Sequence, residues 1–241
     1  MQSCHPVIAF LPMRKGSQRI PNKNTCMFGQ FKGGLCELKL RQLAKSKIID
    51  EIVVSTESDE IKKIALGIIK SEKNIKPLSF LERPDYLYGN CTTDELIDFV
   101  IKSITPCTLL WTHATSPFFD SLLYDSILAQ YFDGLHLGFD SLLTVSEIRS
   151  FIFNKDMTPL FDRTISKWPR TQTIQPLFEV NSAAFIIDRD TAIKCNDRIG
   201  FHPILSKTSA INAIDVDEPH QFQLAEQLSR IVLNESGDLI V

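Results

Sequence analysis

The sequence is informative first for what it lacks. None of its six cysteines forms a Cys-x-x-Cys pair, and no Cys/His cluster has zinc spacing. That excludes a thioredoxin-like redox motif and a zinc finger. Cys4, Cys26, Cys36, Cys91, Cys107 and Cys195 read as free thiols of a reducing compartment, and a cytoplasmic location is expected. No apolar run approaches ~20 residues, so no membrane span is expected. The start lacks a basic stretch followed by a long apolar core, so no secretory leader is expected. Positive charge is not in excess. The net charge is −3 and the pI about 6.0, which argues against bulk nucleic-acid binding. There is no repeat and no low-complexity tract. Two nucleotide signatures are also missing. GxxxxGK[ST] is absent, which removes the P-loop, and GxGxxG is absent, which disfavours a Rossmann dehydrogenase.

What is present is an alternation of strand and helix patterns over 241 residues, 44% of them hydrophobic, enough for one sizeable core. Compact or β-branched runs predict strands at 7–11, 51–55, 108–111, 140–145 and 183–187, with a weak one at 209–214. Helical periodicity predicts helices at 35–44, 59–70, 93–104, 121–132 and 218–233. Ser58 or Thr56 would cap the second helix, and Thr92 or Thr93 the third, with Glu95 in its first turn. Residues 83–90 read as a loop. Residues 146–180 carry Pro159, Pro169 and Pro176 with no clear period, and read as an excursion from the sheet. The fold class is α/β, one domain with a mostly parallel sheet and helices on both faces. Ligands of such sheets bind beyond the carboxyl ends of the strands.

Three polar stretches fall at such ends. Residues 7–24, VIAFLPMRKGSQRIPNKN, run from a strand into a loop with four cations, Arg14, Lys15, Arg19 and Lys23. Gly16 and Ser17 add backbone N–H groups and a hydroxyl, so the loop can hold an anion such as a triphosphate. On charge alone it reads equally well as a solvated surface loop. Asp215-Val216-Asp217 sets two carboxylates one residue apart, which can share Mg²⁺ with substrate phosphates. Taken alone, Asp217 reads more simply as the cap of the following helix. His113-Ala-Thr-Ser-Pro117 is a polar turn whose His113, Thr115 and Ser116 could meet a sugar or base, or serve only as turn chemistry. Trp111 and Trp168 read as packing residues. His5, His136, His202 and His220 share no motif.

Together these stretches resemble, over nearly the whole chain, the cytidylyltransferases that make CMP-activated acidic sugars. These are the CMP-sialic acid synthetases and, more distantly, the CMP-Kdo synthetases. The resemblance rests on Arg14, Gly16-Ser17 and Ile20-Pro21-Asn22-Lys23-Asn24, then Arg83-Pro84, Thr115-Ser116-Pro117, Asn181-Ser182-Ala183 and Asp215-Val216-Asp217. It implies a three-layer Rossmann-like nucleotidyltransferase fold, with 146–180 as a dimerisation excursion in a homodimer. It implies transfer of CMP from CTP to the anomeric hydroxyl of an acidic 2-keto sugar, with release of pyrophosphate, in cell-surface polysaccharide synthesis. The implied nucleotide site is Leu11, Met13, Arg14, Gly16, Ser17, Lys23, Asn24 and Arg83. The implied acceptor site is His113, Thr115, Ser116, Arg170, Gln172, Asn181 and Phe185. Asp215 and Asp217 would hold Mg²⁺, with Mn²⁺ as an alternative, and Arg14, Lys23 and Asp217 would be catalytic. The sequence departs from the pattern at Glu57 for Asp, His113-Ala114 for Gln-Pro, Ser182 for Gly, Phe185 for Tyr, and Glu179 where some members carry Arg. All but Glu57 fall on the sugar side, so an unusual nonulosonic acid is one expectation. A CMP-Kdo-type or other sugar nucleotidyltransferase is an alternative, as is a relative that binds CTP or a CMP-sugar without turnover.

Overall fold

The computed structural model describes residues 5–17, 19–71, 76–88 and 91–240. Cys4 and the end of the 83–90 loop lie outside them. The elements in chain order are β1 (Val7–Pro12), α1 (Gly34–Lys45), β2 (Glu51–Ser55), α2 (Asp59–Ser71), β3 (Leu78–Phe80), α3 (Thr93–Ser103), β4 (Thr108–Trp111), α4 (Ser121–Leu135), β5 (Ser141–Ile148), β6 (Leu177–Asp188), α5 (Arg189–Cys195), β7 (Pro203–Lys207) and α6 (Pro219–Val232). The strands form one seven-stranded sheet in the order β3-β2-β1-β4-β6-β5-β7. All pairings are parallel except those of β6, which runs antiparallel to both β4 and β5.

The strands at the sheet centre are apolar on both faces, and the period of two sorts them into two cores. Val7, Ala9 and Leu11 of β1 face one core, while Ile8 and Phe10 face the other. The first core is completed by α1, α2, α4 and α6, through residues such as Leu40, Ile61, Tyr124 and Ala225. The second is completed by α3 and α5, through Ile97, Val100, Ile101 and Ala192. The result is three layers. Thr92 caps α3 in a reciprocal box with Glu95, and Ser58 Oγ accepts from Ile61 N–H at 3.4 Å near the start of α2.

The sequence expectations need four corrections. The 209–214 stretch is a turn, not a strand. The edge strand on that side is β7, which lies just before it and whose short mixed pattern gives little period to read; the opposite edge, β3, is only three residues long and was likewise not expected. The excursion is shorter than 146–180. β5 continues to Ile148 and β6 begins at Leu177, paired Ser146↔Glu179, Glu147↔Phe178 and Ile148↔Leu177, so the sheet extends into the stalk of an arm spanning 149–176. Helix α5, only seven residues long, has too few turns to show periodicity. Finally, the residue capping α6 is Glu218, not Asp217. Gln221 Oε1 accepts the N–H groups of both Asp217 and Glu218 at 2.8 Å each.

Candidate active site

The three polar stretches converge on one rim. A cleft of about 590 Å³ is lined by Arg14, Ser17, Arg19, Lys23, Asn24, Thr93, His113, Thr115, Ser182, Asp215 and Asp217, among others. Parallel β1 and β4 deliver their C-terminal ends there. Antiparallel β6 delivers Ser182 from the opposite direction, because Phe185 pairs with Trp111 and its N-terminal half therefore reaches the same rim.

The cationic loop is anchored to the fold, although Arg14, Lys15 and Arg19 stay exposed. Ile20 is 7% exposed and packs in the first core. Asn22 adopts φ 52°, and its carbonyl accepts from Thr25 and Cys26 N–H at 2.8 Å each. The Asn24 carbonyl accepts from Cys36 N–H at 2.8 Å, seating the loop on the start of α1. Gly16 sits at φ +72° with open space where a Cβ would be. Lys15 N–H donates to Glu57 Oε1 at 2.6 Å.

The cations and the carboxylates at the two ends of the chain meet. Lys23 Nζ donates to Val216 O at 2.9 Å and to Asp217 Oδ1 at 3.1 Å. Two of its three donors are thus used, and one remains for an anion in the cleft. Arg19 bridges Asp217 Oδ2 at 3.2 Å and Glu218 Oε1 at 2.7 Å. Burial works to raise the Asp217 pKa, but the Lys23 hydrogen bond and the charges of Lys23 and Arg19 outweigh it, and the net shift is downward. Val216 N–H donates to Thr115 O at 2.8 Å, which fixes the Asp-Val-Asp segment against the turn after β4. Among the described residues Asp215 Oδ1 is buried with no hydrogen-bond partner. An oxygen kept dry and unpaired beside a cationic cleft suits a metal ligand. No group of three or more His, Cys, Asp or Glu side chains with metal-holding geometry occurs among the described residues. Two carboxylates are the number Mg²⁺ takes when phosphates and water complete its shell, and both Asp217 oxygens already meet cations, Oδ1 Lys23 and Oδ2 Arg19.

His113 lines the cleft, but both ring nitrogens are engaged within the protein. Nδ1 pairs with Ser182 O at 2.9 Å, and Nε2 accepts the Trp111 indole N–H at 3.2 Å. The arrangement holds only for the neutral ring with its proton on Nδ1. Burial pushes its pKa down to about 4. The bond to Ser182 O opposes the shift, the charge of Arg198 adds to it, and Asp215 and Asp217 oppose it. His113 is thus a wall that ties β4 to β6, not a hydrogen-bonding contact for a sugar.

Other expected site residues lie elsewhere. Leu11 and Met13 are 0% exposed core side chains, so only their backbone could meet a ligand. Arg83 is buried, with Nε donating to Ser55 Oγ at 2.9 Å and Nη2 to Ser55 O at 3.2 Å, and it holds the end of β2. Ser116 is buried within its turn. Phe185 is 2% exposed in the second core, with the Arg198 guanidinium 3.8 Å from its ring centroid. Asn181 is buried and donates to Thr208 Oγ1 at 3.0 Å, at the edge of an adjoining cavity of about 530 Å³ that shares Asp215 with the cleft. Arg170 and Gln172 lie on the arm and do not line the cleft. Conversely, Arg19, Thr93 and Glu57 are not among the expected site residues; Glu57 enters only as a departure from the family pattern. Arg19 was visible as one of the four cations, whereas Thr93 was visible only as a helix start.

The site is thus a mostly parallel α/β sheet whose cationic first loop faces a carboxylate pair. Residues 8–76, from β1 to the segment before β3, match the family model described as cytidylyltransferase. Among solved structures the chain is similar to the CMP:2-keto-3-deoxy-manno-octonic acid synthetase complexed with CTP. The two share 11% identity at a TM-score of 0.64, over 95% of this chain and 100% of that one. It is equally similar to 4-diphosphocytidyl-2C-methyl-D-erythritol synthase from Anaerococcus prevotii, at 12% identity and a TM-score of 0.64, over 93% and 98% of the two chains. At these identities the likeness is one of fold. No curated protein matches the chain by sequence at a significant level. No helix among the described residues is long and apolar enough to cross a membrane.

Proposed function

We propose that the protein is a cytidylyltransferase that transfers CMP from CTP to the anomeric hydroxyl of an acidic 2-keto sugar of the nonulosonic type. The observation that carries this reading is the meeting of Lys23 with Asp217 across the chain, inside one cleft with Arg14 and Ser17. The hydroxyl oxygen attacks the α-phosphorus in line and gives up its proton to solvent water. The bond from that phosphorus to the bridging oxygen of the β-phosphate breaks, and pyrophosphate leaves with the electron pair. Such transfers depend on positioning and neutralisation of charge. Arg14 and the remaining donor of Lys23 meet the β- and γ-phosphate oxygens, with Ser17 orienting them. Lys23 also holds Asp217 in the ionised form. Asp215 and Asp217 would hold Mg²⁺, or Mn²⁺ in its place, and such an ion would supply charge neutralisation at the phosphates. Thr93, Thr115 and Ser182 line the side left for the acceptor.

The arm supports a homodimer. Met157 (72%), Ile165 (97%) and Trp168 (62%) are exposed apolar side chains, around a cluster of Phe151, Phe153, Phe161 and Trp168. In a two-fold pair, Arg170 and Gln172 of each arm would serve the other subunit's cleft. The five described cysteines are free thiols, in keeping with a cytoplasmic enzyme. A CMP-Kdo-type activity uses the same parts with a different acceptor, so the acceptor is the part to determine. Pyrophosphate release with CTP and Mg²⁺ is measured across sialic, legionaminic, pseudaminic and Kdo acids. Turnover with one of the nonulosonic acids is expected. Turnover with Kdo alone would move the assignment to that alternative, and tight CTP binding without turnover of any acid would make the protein a binder.

A further inference from the structure

Beside the main cleft lies a second cavity of about 260 Å³. The two share the loop residues Arg14, Ser17, Lys23 and Asn24, so one ligand can reach from one into the other. Their far walls differ in charge. The main cleft ends on the Asp215/Asp217 pair. The smaller cavity ends on Glu57, Asp59 and Glu60, at the end of β2 and the start of α2. Carboxylates repel phosphate, so this end suits the part of a nucleotide that donates hydrogen bonds.

Glu57 is the carboxylate there that is built in. Its Oε1 is occupied by the Lys15 N–H at 2.6 Å, so the side chain is fixed to the loop that forms the cavity's other wall. Its Oε2 is buried and has no hydrogen-bond partner among the described residues. A buried acceptor without a donor is costly, and a bound ligand, water or ion can supply the donor. We propose that Glu57 reads the exocyclic amino group of a cytosine base, and so sets the preference for CTP over UTP. The argument rests on the nucleotide reading of the loop given above. Cytosine carries a donor amino group where uracil carries an acceptor oxygen, and a carboxylate accepts from the first and repels the second. A site built around one hydrogen bond discriminates strongly because the wrong ligand leaves it unpaired.

The test is Glu57→Gln, in which the amide oxygen can still accept from Lys15 N–H while the amide NH₂ can face the base. Turnover of CTP, UTP and 2′-deoxy-CTP is compared in wild type and variant, and binding of CDP and UDP is titrated in parallel. The expected result is a wild-type CTP/UTP preference above about 10², narrowed tenfold or more in the variant, with a matching change in the CDP/UDP ratio. An equal loss on CTP and UTP would show that Glu57 only pins the loop, and would overturn the proposal. A change confined to the CTP/deoxy-CTP ratio would assign Glu57 to the ribose, and would overturn it too. If no acid sugar is turned over but wild type prefers CDP and the variant does not, the base-reading role stands while the enzymatic reading fails. If neither diphosphate binds, both fail.

Discussion

Lys23 and Asp217 are 194 residues apart in sequence, and their charged atoms lie 3.1 Å apart. The pair joins the loop after β1 to the segment before α6, and it also meets Val216 O. Lys23 is 12% exposed and Asp217 44%, and with Arg19 left to pair Asp217 the net contribution of such a partly exposed pair is about 1 kcal/mol. Lys23→Met is therefore expected to fold with a melting temperature within a few degrees of wild type. It is expected to lose on the order of 10² or more in kcat, as other preorganised charge stabilisers do when removed. Near-normal turnover in that variant would remove Lys23 from the mechanism.

Asp215 is a different case, because its Oδ1 is buried without a partner. Asp215→Asn is expected to leave the fold at least as stable, since an uncompensated buried acceptor becomes a neutral amide. The same change is expected to raise the Mg²⁺ concentration for half-maximal rate by tenfold or more. A Mg²⁺ titration of rate, beside a melting curve, separates the two effects. An unchanged Mg²⁺ dependence would exclude Asp215 as a ligand.

His113 should make the protein acid-sensitive. Its pKa is about 4 in the folded protein, against about 6.5 unfolded. The unfolded chain therefore binds a proton that the folded one refuses between these values. Stability from the neutral ring is complete above pH 6.5 and is lost as pH falls towards 4, by at most about 3 kcal/mol. His113→Gln, which can donate to Ser182 O and accept from Trp111 without titrating, is expected to flatten that part of the stability–pH curve. Denaturant midpoints at pH 7.5, 6 and 5 check this, and an unchanged slope would contradict it.

Gly34 is where the loop rests on α1. It sits at φ +67°, and a Cβ there would lie 2.3 Å from Cys26 O and 2.9 Å from Asn24 O. Gly34→Ala must displace backbone, with an expected cost above about 2 kcal/mol and a weakened CTP affinity. Gly16→Ala meets nothing within 4 Å and pays only for its φ of +72°, about 1 kcal/mol. Thermal melts and CTP titrations of the two variants should rank in that order.

The arm predicts a dimer of the 27.3 kDa chain. Light scattering of wild type should give twice that mass, and Ile165→Asp with Trp168→Asp should give monomers with a raised KM for the acceptor and a smaller change for CTP. A wild-type monomer with full activity would contradict the shared site.

The sequence made the scaffold legible where segments were long and periodic. β2 and β4 fall on their expected residues, and α1 to α4 differ by a few residues at their ends. It failed where periodicity had no length to act in, at α5 and β7, and where a half-buried hairpin looked like a loop, at Ser146–Ile148. Of the expected site residues, Arg14, Ser17, Lys23, Asn24, Asp215 and Asp217 line the cleft, because charge clusters at strand ends can be seen in one dimension. It could not tell which polar side chains turn inward. Arg83 binds Ser55, His113 is spent between Ser182 and Trp111, and Phe185 lies under Arg198. Ser55 is 28 residues from Arg83 and Ser182 is 69 from His113, so only the Trp111 contact is local.

The account turns on the reaction itself, and ³¹P NMR of the protein with CTP, Mg²⁺ and a nonulosonic acid follows it atom by atom. The prediction is loss of the three CTP resonances with equal growth of pyrophosphate and of one phosphodiester. CTP left intact with every acid offered, or converted to CDP and phosphate, would contradict it.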